Sequence, residues 1–163
     1  MNRNSYIKLD NYDRAILEAL QRDGRLTNVE LAEEIGLSAS PCLRRVRNLE
    51  EAGVIRGYQA TLDAEVVGLG MTVFVGVKVE RHHEVEAEKF QTTVLALPEV
   101  VSAFLVSGES DFLLQVVVPD LRRYERFLTS VLLKLPGVRD IRSNFAIKSI
   151  KPQGPLPLDH LEA

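Results

Sequence analysis

The chain has 163 residues, 45% of them hydrophobic and 26% charged, enough for one ordinary core or two small ones. Its net charge of -3 carries no global signature of a nucleic-acid partner, so any DNA affinity must come from locally focused charge. A single cysteine excludes an intrachain disulfide framework and argues against a zinc site, no apolar run reaches the ~18 residues of a membrane helix, and Met1 to Lys8 is polar rather than signal-like, which together point to a soluble, cytoplasmic protein.

From Leu9 to Ile55 the apolar residues keep helical spacing, interrupted by turn signals at Asp23-Gly24, Gly36 and Gly53. The spacing predicts a first helix over about Asn11 to Arg22, with Ile16, Leu17 and Leu20 on one side. A second opens on Thr27, whose hydroxyl can cap free backbone amides while Glu30 completes a capping box, and Val29, Leu31, Ala32 and Ile35 form its core face. A third starts at Ser38 as N-cap, tolerates Pro41 in its first turn, where amides lack helical partners anyway, and turns Cys42, Val46 and Leu49 inward. Val54 to Tyr58 and Ala60 to Asp63 then read as a small two-stranded wing, which makes residues 1–60 a winged helix-turn-helix with the motif itself over about 28–47.

Residues 61–70 read as a linker, with Gly68-Leu69-Gly70 as a hinge rather than a dinucleotide fingerprint, since the third glycine and the strand-turn-helix context are missing. Val73, Val75, Val77 and Val79 alternate with Thr72, Phe74, Gly76 and Lys78, the period of a half-buried strand. A helix from about Glu84 to Leu97 follows, with Ala87, Phe90, Val94 and Leu97 on one stripe. Strands over Val100 to Ser107 and Phe112 to Val118 form a hairpin, a helix over Leu121 to Leu135 faces Leu121, Tyr124, Leu128, Val131, Leu132 and Leu135 to the core, and a last strand covers Val138 to Ile150. Leu97-Pro98-Glu99-Val100 and Leu135-Pro136-Gly137-Val138 mark the same helix-to-strand transition twice. The order βαββαβ over 71–151 is that of a ferredoxin-like domain, so the whole is an α+β chain. Helices cover one face of such a sheet; a Val- and Phe-rich second face has to be buried by a partner, which predicts a homodimer. Residues 152–163, rich in proline and glycine near their start, read as an extended tail or a strap onto a neighbouring subunit.

Charge is focused in one place. Met1 to Gly57 balances nine basic and nine acidic residues, yet Ser38 to Leu49 holds three arginines and no acid. With Cys42, Val46 and Leu49 inward, Arg44, Arg45 and Arg47 are expected outward, behind Ser38 and Ser40 at the helix start, the arrangement of a major-groove reader. The candidate DNA contacts are Thr27, Asn28, Ser38, Ser40, Pro41, Arg44, Arg45 and Arg47. An isolated charge cluster is more often a solvated face; two preceding short helices and the Gly36-Leu37-Ser38 turn reverse that weighting here.

Several ungapped blocks carry a family resemblance: Asp13-Arg14-Ala15-Ile16-Leu17, Asp23-Gly24-Arg25, Asn28-Val29-Glu30-Leu31-Ala32 and Leu37 to Val46, then Leu105 to Leu114, Val118-Pro119-Asp120 and Leu133 to Val138. The chain resembles the Lrp/AsnC (leucine-responsive and asparagine regulator, feast/famine) transcriptional regulators over roughly Leu9 to Lys151. The resemblance implies promoter-DNA binding, homodimers built through the C-terminal sheets that assemble into octamers with DNA wrapped around them, and an amino-acid effector held between dimers in a C-terminal regulatory (RAM) domain. Carried over by position, Ser107, Gly108, Glu109 and Asp111 would border that effector, with Leu105, Leu121, Asn144, Phe145 and Ala146 nearby. Amides at a glycine-containing turn can receive an α-carboxylate, Asp111 can pair with an α-ammonium group, and Phe145 with leucines can hold an apolar side chain. The segment Ser143 to Lys148 and the later Leu156-Pro157-Leu158 resemble those of family members tied to branched-chain amino acids or methionine, a resemblance that implies a leucine-like effector. No cofactor and no metal site is expected: His82-His83 and His160 lack any ligand spacing, and Cys42 reads as a core residue. An enzyme built on the C-terminal domain is disfavoured because no nucleophile is paired with a base, and the remaining alternative is a DNA-organising protein without an effector.

Overall fold

The computed structural model describes residues 8–80, 84–151 and 154–161, with the side chains of residues 84–87 left out. The described residues form two compact units: one holds the chain up to Thr61 together with the segment from Lys151 on, the other runs from Leu62 to Ile150.

The first unit is three helices around one core. α1 (Asn11–Arg22) starts on Asp10, whose carboxylate accepts from the Asp13 amide while Asp13 returns the bond, a reciprocal cap at the first turn. α2 (Asn28–Glu34) opens on the Thr27–Glu30 capping box expected from the sequence. α3 (Ala39–Glu51) follows Ser38, which takes the N-cap backbone conformation without donating or accepting a side-chain cap bond. Ile16, Leu17, Ala19, Leu31, Ala32, Cys42 and Leu49 are buried together, and burial pushes the Cys42 thiol pKa up, which keeps it protonated and unreactive. Val29, expected in this core, is exposed, because two residues along α2 turn it about 200° away from the buried Leu31. After Gly53, which takes a positive φ of 72°, residues 54–61 run on without strand pairing, so the expected two-stranded wing is not formed as a ladder.

The second unit is β1 (Met71–Val79), α4 (Glu84–Leu95), β2 (Val100–Leu105), β3 (Phe112–Val118), α5 (Leu121–Ser130), a short 3₁₀ turn over Leu132–Lys134, and β4 (Val138–Phe145). The sheet order is β2-β3-β1-β4, all neighbours antiparallel, as the βαββαβ order requires. Val73, Val75, Val77 and Val79 meet Phe112, Leu114, Val116 and Val118 under Phe90, Val94, Tyr124, Phe127 and Leu132. Leu121 was expected in this core and lies exposed at the first turn of α5, whereas Phe127 takes the buried stripe with Tyr124. The second helix ends at Ser130 and tightens into the 3₁₀ turn before Pro136, and the last strand stops at Phe145 rather than Ile150, with the bond from the Ala146 amide to the Thr72 carbonyl as its last contact to β1.

Among the described residues of this unit the other sheet face is largely uncovered, apart from Gly76 beneath Ser110. By register, Phe104 of β2, Leu113 of β3, Gly76 of β1 and Arg142 of β4 form one row across it, and Gln115, Phe74 and Asn144 lie in the next. Phe74 and Phe104 remain 39% and 58% exposed, unusual for aromatic side chains in mid-strand.

The tail does not stand apart. Leu158 packs into the first unit's core, Gln21 of α1 clasps the Leu156 backbone by accepting from its N–H (2.6 Å) and donating to its carbonyl (3.2 Å), and Arg14 pairs with Asp159 at 2.7 Å.

Candidate functional site

α3 presents two chemically different sides. Cys42 and Leu49 anchor it in the core, which leaves Ser40, Leu43, Arg44 and Arg47 exposed along one stripe at spacings of three and four residues. Neither Arg44 nor Arg47 has a carboxylate partner among the described residues, so both guanidinium groups keep their charge and their donors available.

Arg45 departs from the sequence expectation. Its guanidinium lies 2.8 Å from both Asp10 and Asp13 and stacks over the Tyr12 ring at 5.4 Å, with the side chain only 29% exposed. It ties α3 to the start of α1 and so positions the helix instead of reaching outward. Alanine at Arg45 is therefore expected to lower helix-unit stability by about 1–2 kcal/mol, two partly screened ion pairs and one stacking contact, or several degrees of melting temperature. The Asp13 amide, together with Arg45, holds the Asp10 carboxyl below its ordinary value of 3.8. The sign follows: this contribution is present above the unfolded carboxylate range and is lost as pH falls through the lowered folded value. Melting curves between pH 6 and pH 2.5 should converge for the wild-type and Arg45→Ala proteins, and parallel curves would exclude the pairing.

At the other candidate contacts, Thr27 donates to Glu30 and caps α2. Asn28 Nδ2 donates to the Ala39 carbonyl at 2.8 Å, a bridge from α2 to the first turn of α3 that fixes their angle, while its buried Oδ1 has no hydrogen-bond partner. Ser38 is exposed with its hydroxyl unused, and Pro41 is half-buried in the first turn of α3. Leu43 was missed by sequence reasoning; its place between Ser40 and Arg47 on the helical wheel is the signal that could have found it.

In the second unit the nine expected effector residues fall into two groups. Leu105, Ser107, Gly108, Glu109 and Asp111 gather where β1 ends, since Val77 pairs with Phe112. Leu121, Asn144, Phe145 and Ala146 gather at the opposite end, where Val73 pairs with Phe145 and the Ala146 amide donates to Thr72. Val77 lies four residue steps along β1 from Val73, about 13 Å at 3.3 Å per residue, so one chain does not bring the two groups together.

The turn is held from several sides. The Asp111 amide donates to the Val77 carbonyl (3.0 Å), the Val106 amide donates to the Asp111 carbonyl (2.9 Å), and the Val79 amide donates to the Asp111 carboxylate (3.0 Å). Arg142 of β4 pairs with Glu109. Gly108 takes a φ of 121°, open to glycine and strained for other residues. The Ser110 hydroxyl lies over Gly76, where a methyl group would overlap it and meet its Cβ at 3.3 Å. Valine at Gly76, favoured in a strand by propensity, is accordingly expected to destabilise this unit by about 1–3 kcal/mol through overpacking, and Ser110→Gly should recover most of the loss. Stabilisation by Gly76→Val would show that the turn yields freely.

At the far end Tyr124 and Phe145 make an edge-to-face pair with centroids 5.4 Å apart, and the Tyr124 hydroxyl bonds Ser143. Burial pushes the Tyr124 pKa up. Leu121, Phe145 and Leu105 are 58%, 46% and 74% exposed, apolar surface left open around both groups. Among the described residues no three His, Cys, Asp or Glu side chains are grouped to hold a metal ion, and His82 and His83 lie outside them. No described helix is long and apolar enough to cross a membrane.

Comparison with known proteins bears on both units. Residues 9–56 match the family model for winged helix-turn-helix DNA-binding domains, and residues 72–156 match that for the Lrp/AsnC ligand binding domain. The Bkd operon transcriptional regulator of Pseudomonas aeruginosa is 44% identical over 151 residues, 93% of this chain and 99% of the relative. The leucine-responsive regulatory protein of Rhizobium meliloti is 45% identical over 145 residues, covering 89% and 93%. Among solved structures, a transcriptional regulator from Neisseria meningitidis in complex with L-Met superposes with a TM-score of 0.91 at 45% identity, covering 94% of this chain and 99% of that one.

Proposed function

The chain belongs to the Lrp/AsnC family of DNA-binding transcriptional regulators with a ligand-binding domain, and from that premise we propose how its own residues divide the work. Ser40, Arg44 and Arg47 meet promoter DNA in the major groove, Arg forking onto guanine or neutralising phosphate, while Thr27, Asn28, Ser38 and Pro41 set the entry of α3. Arg45 orients α3 from behind. The observation that carries this reading is the asymmetry of α3, with its inward arginine neutralised by two aspartates and its outward arginines unpaired.

In the second unit the effector is an amino acid, as the L-Met complex of the similar Neisseria protein and the names of the leucine-responsive relatives suggest. The pinned turn at Ser107 to Asp111 would receive the charged end of the zwitterion, its amides facing the α-carboxylate. Leu121 and Phe145 would hold an apolar side chain of leucine or methionine size. Because these groups lie at opposite ends of one sheet, the complete pocket needs a second chain to contribute one of them. A homodimer joined through the bare sheet face, and a higher assembly of such dimers, follow from this reading. It makes the protein a cytoplasmic regulator and not an enzyme.

The test is thermal unfolding of the purified protein with each of the twenty amino acids, followed by operator titrations with any that bind. At 100 times its dissociation constant a ligand adds about 2.7 kcal/mol to the binding state, so leucine or methionine should raise the melting temperature by several degrees while charged amino acids leave it unchanged. Linkage then requires operator DNA to alter the amino-acid affinity by the same factor as the amino acid alters operator affinity. A blank panel would favour a DNA-organising protein without an effector.

A further inference from the structure

We infer that Leu43 reads a thymine methyl group in the major groove, so that each operator half-site is selected by one apolar contact as well as by the arginines. The inference rests on α3 being the helix that meets DNA. Within Ala39–Glu51, Leu43 is the one large apolar side chain that stays exposed, at 38%, while Cys42 and Leu49 are buried. At about 100° per residue it stands about 40° around the helix from Arg47 and about 60° from Ser40, on the side of α3 that carries the two outward arginines.

Its position is supported from behind. Leu43 lines a hollow with Leu26, Leu31, Val46 and Tyr58. The Tyr58 hydroxyl donates to Glu50 (3.1 Å), and its ring edge comes within 3.4 Å of where a Cβ would stand on Gly24. Leu43 is thus held among apolar neighbours of its own unit while more than a third of it stays open beside Ser40 and Arg47, and a side chain already held loses little freedom on contact. The groove offers one match for it. Guanine, adenine and cytosine are told apart there by hydrogen-bonding groups, whereas thymine adds a C5-methyl. Against leucine an amino or carbonyl edge would give up water with no bond in return, while a methyl gains by burial. The operator should therefore carry a thymine beside the base pairs that face Ser40 and Arg47.

Duplexes selected from a random pool by the full chain are resynthesised with single thymines replaced by deoxyuridine, which removes the methyl and nothing else. At one thymine per half-site the replacement should weaken binding about fourfold, the factor that ~0.8 kcal/mol for one buried carbon gives at ~1.4 kcal/mol per tenfold. Cytosine at that position should weaken binding further, and 5-methylcytosine should recover about fourfold relative to cytosine. In Leu43→Ala, and in the nearly isosteric polar variant Leu43→Asn, these methyl effects should vanish while the salt dependence of binding stays that of the wild type; Leu43→Met should retain them. No thymine whose replacement weakens wild-type binding overturns the inference, as does a pool that returns no common sequence. A methyl effect that survives unchanged in the alanine and asparagine variants also overturns it and gives the contact to another residue. If Arg44→Ala/Arg47→Ala binds as tightly as the wild type, the major-groove reading of α3 falls as well; if the arginines matter and the methyl does not, only the role of Leu43 falls.

Discussion

Alanine at both Arg44 and Arg47 is expected to weaken operator binding by roughly 30-fold to 10⁴-fold, at 1–3 kcal/mol for each arginine. Both are exposed on the stripe that contains Ser40, and neither is neutralised by a neighbour among the described residues, so each can give its full charge to the DNA. If both touch phosphate, the dependence of log affinity on log salt should also flatten by up to about 1.8, since each neutralised phosphate contributes about 0.9 to the slope. If one of them reads a guanine instead, the slope falls by less and selectivity at one operator position relaxes. Arg45→Ala is the internal control: it should lower the melting temperature and leave the salt slope in place, because its charge is already spent on Asp10 and Asp13. Titrations of fluorescent operator at four salt concentrations read all of this, and a double variant with unchanged affinity and unchanged slope would remove α3 from the interface.

Lysine at both Phe74 and Phe104 is expected to turn the protein into monomers at micromolar concentration. The two rings stand on adjacent rows of the bare sheet face, 39% and 58% exposed in a single chain, with Leu113 between their strands. A stable interface covers about 800 Å² on each partner, and a mid-sheet face with two aromatic side chains supplies the apolar centre of such an area. Two ammonium groups placed there would have to be desolvated without partners, at several kcal/mol each, enough to raise a dimer dissociation constant by a hundredfold or more. The core on the helix side is untouched, so each chain should keep its secondary structure. Light scattering together with circular dichroism separates the outcomes: folded monomers support the face as the dimer contact, and an unchanged mass moves that contact elsewhere.

Much of the fold could be read from the chain because the signals are local. The Thr27–Glu30 box, the valine alternation of β1 and the repeated Leu-Pro transitions each need only neighbours in sequence to be recognised. What escaped was non-local or depended on phase. Arg45 looked like its two neighbours on α3 because its acids lie 32 and 35 positions away, on another helix. Leu121 and Val29 were assigned inward on the apolar pattern of their helices, but the buried stripes of those short helices are filled by Tyr124 and Phe127, and by Leu31 and Ala32. The candidate effector residues were legible only through family resemblance. Periodicity could not reveal that the Gly108 turn and the Phe145 end lie at opposite ends of one sheet, since that follows from strand register. The tail was legible as an extended segment or a strap onto a neighbouring subunit, but its docking on α1 of the same chain was not, because Gln21 and Arg14 lie 135 and 145 positions from their partners.

That docking limits how this regulator can be taken apart. A recombinant fragment ending near Thr61 would leave out Leu158 and the partner of Gln21, and would report on a helix unit with part of its packing missing. A chimera that grafts the first 61 residues onto another sensor inherits whatever C-terminus that sensor carries, and a substitution in the segment around Leu158 acts on the packing of α1. Swapping specificities between relatives therefore calls for exchanging both ends of the chain together.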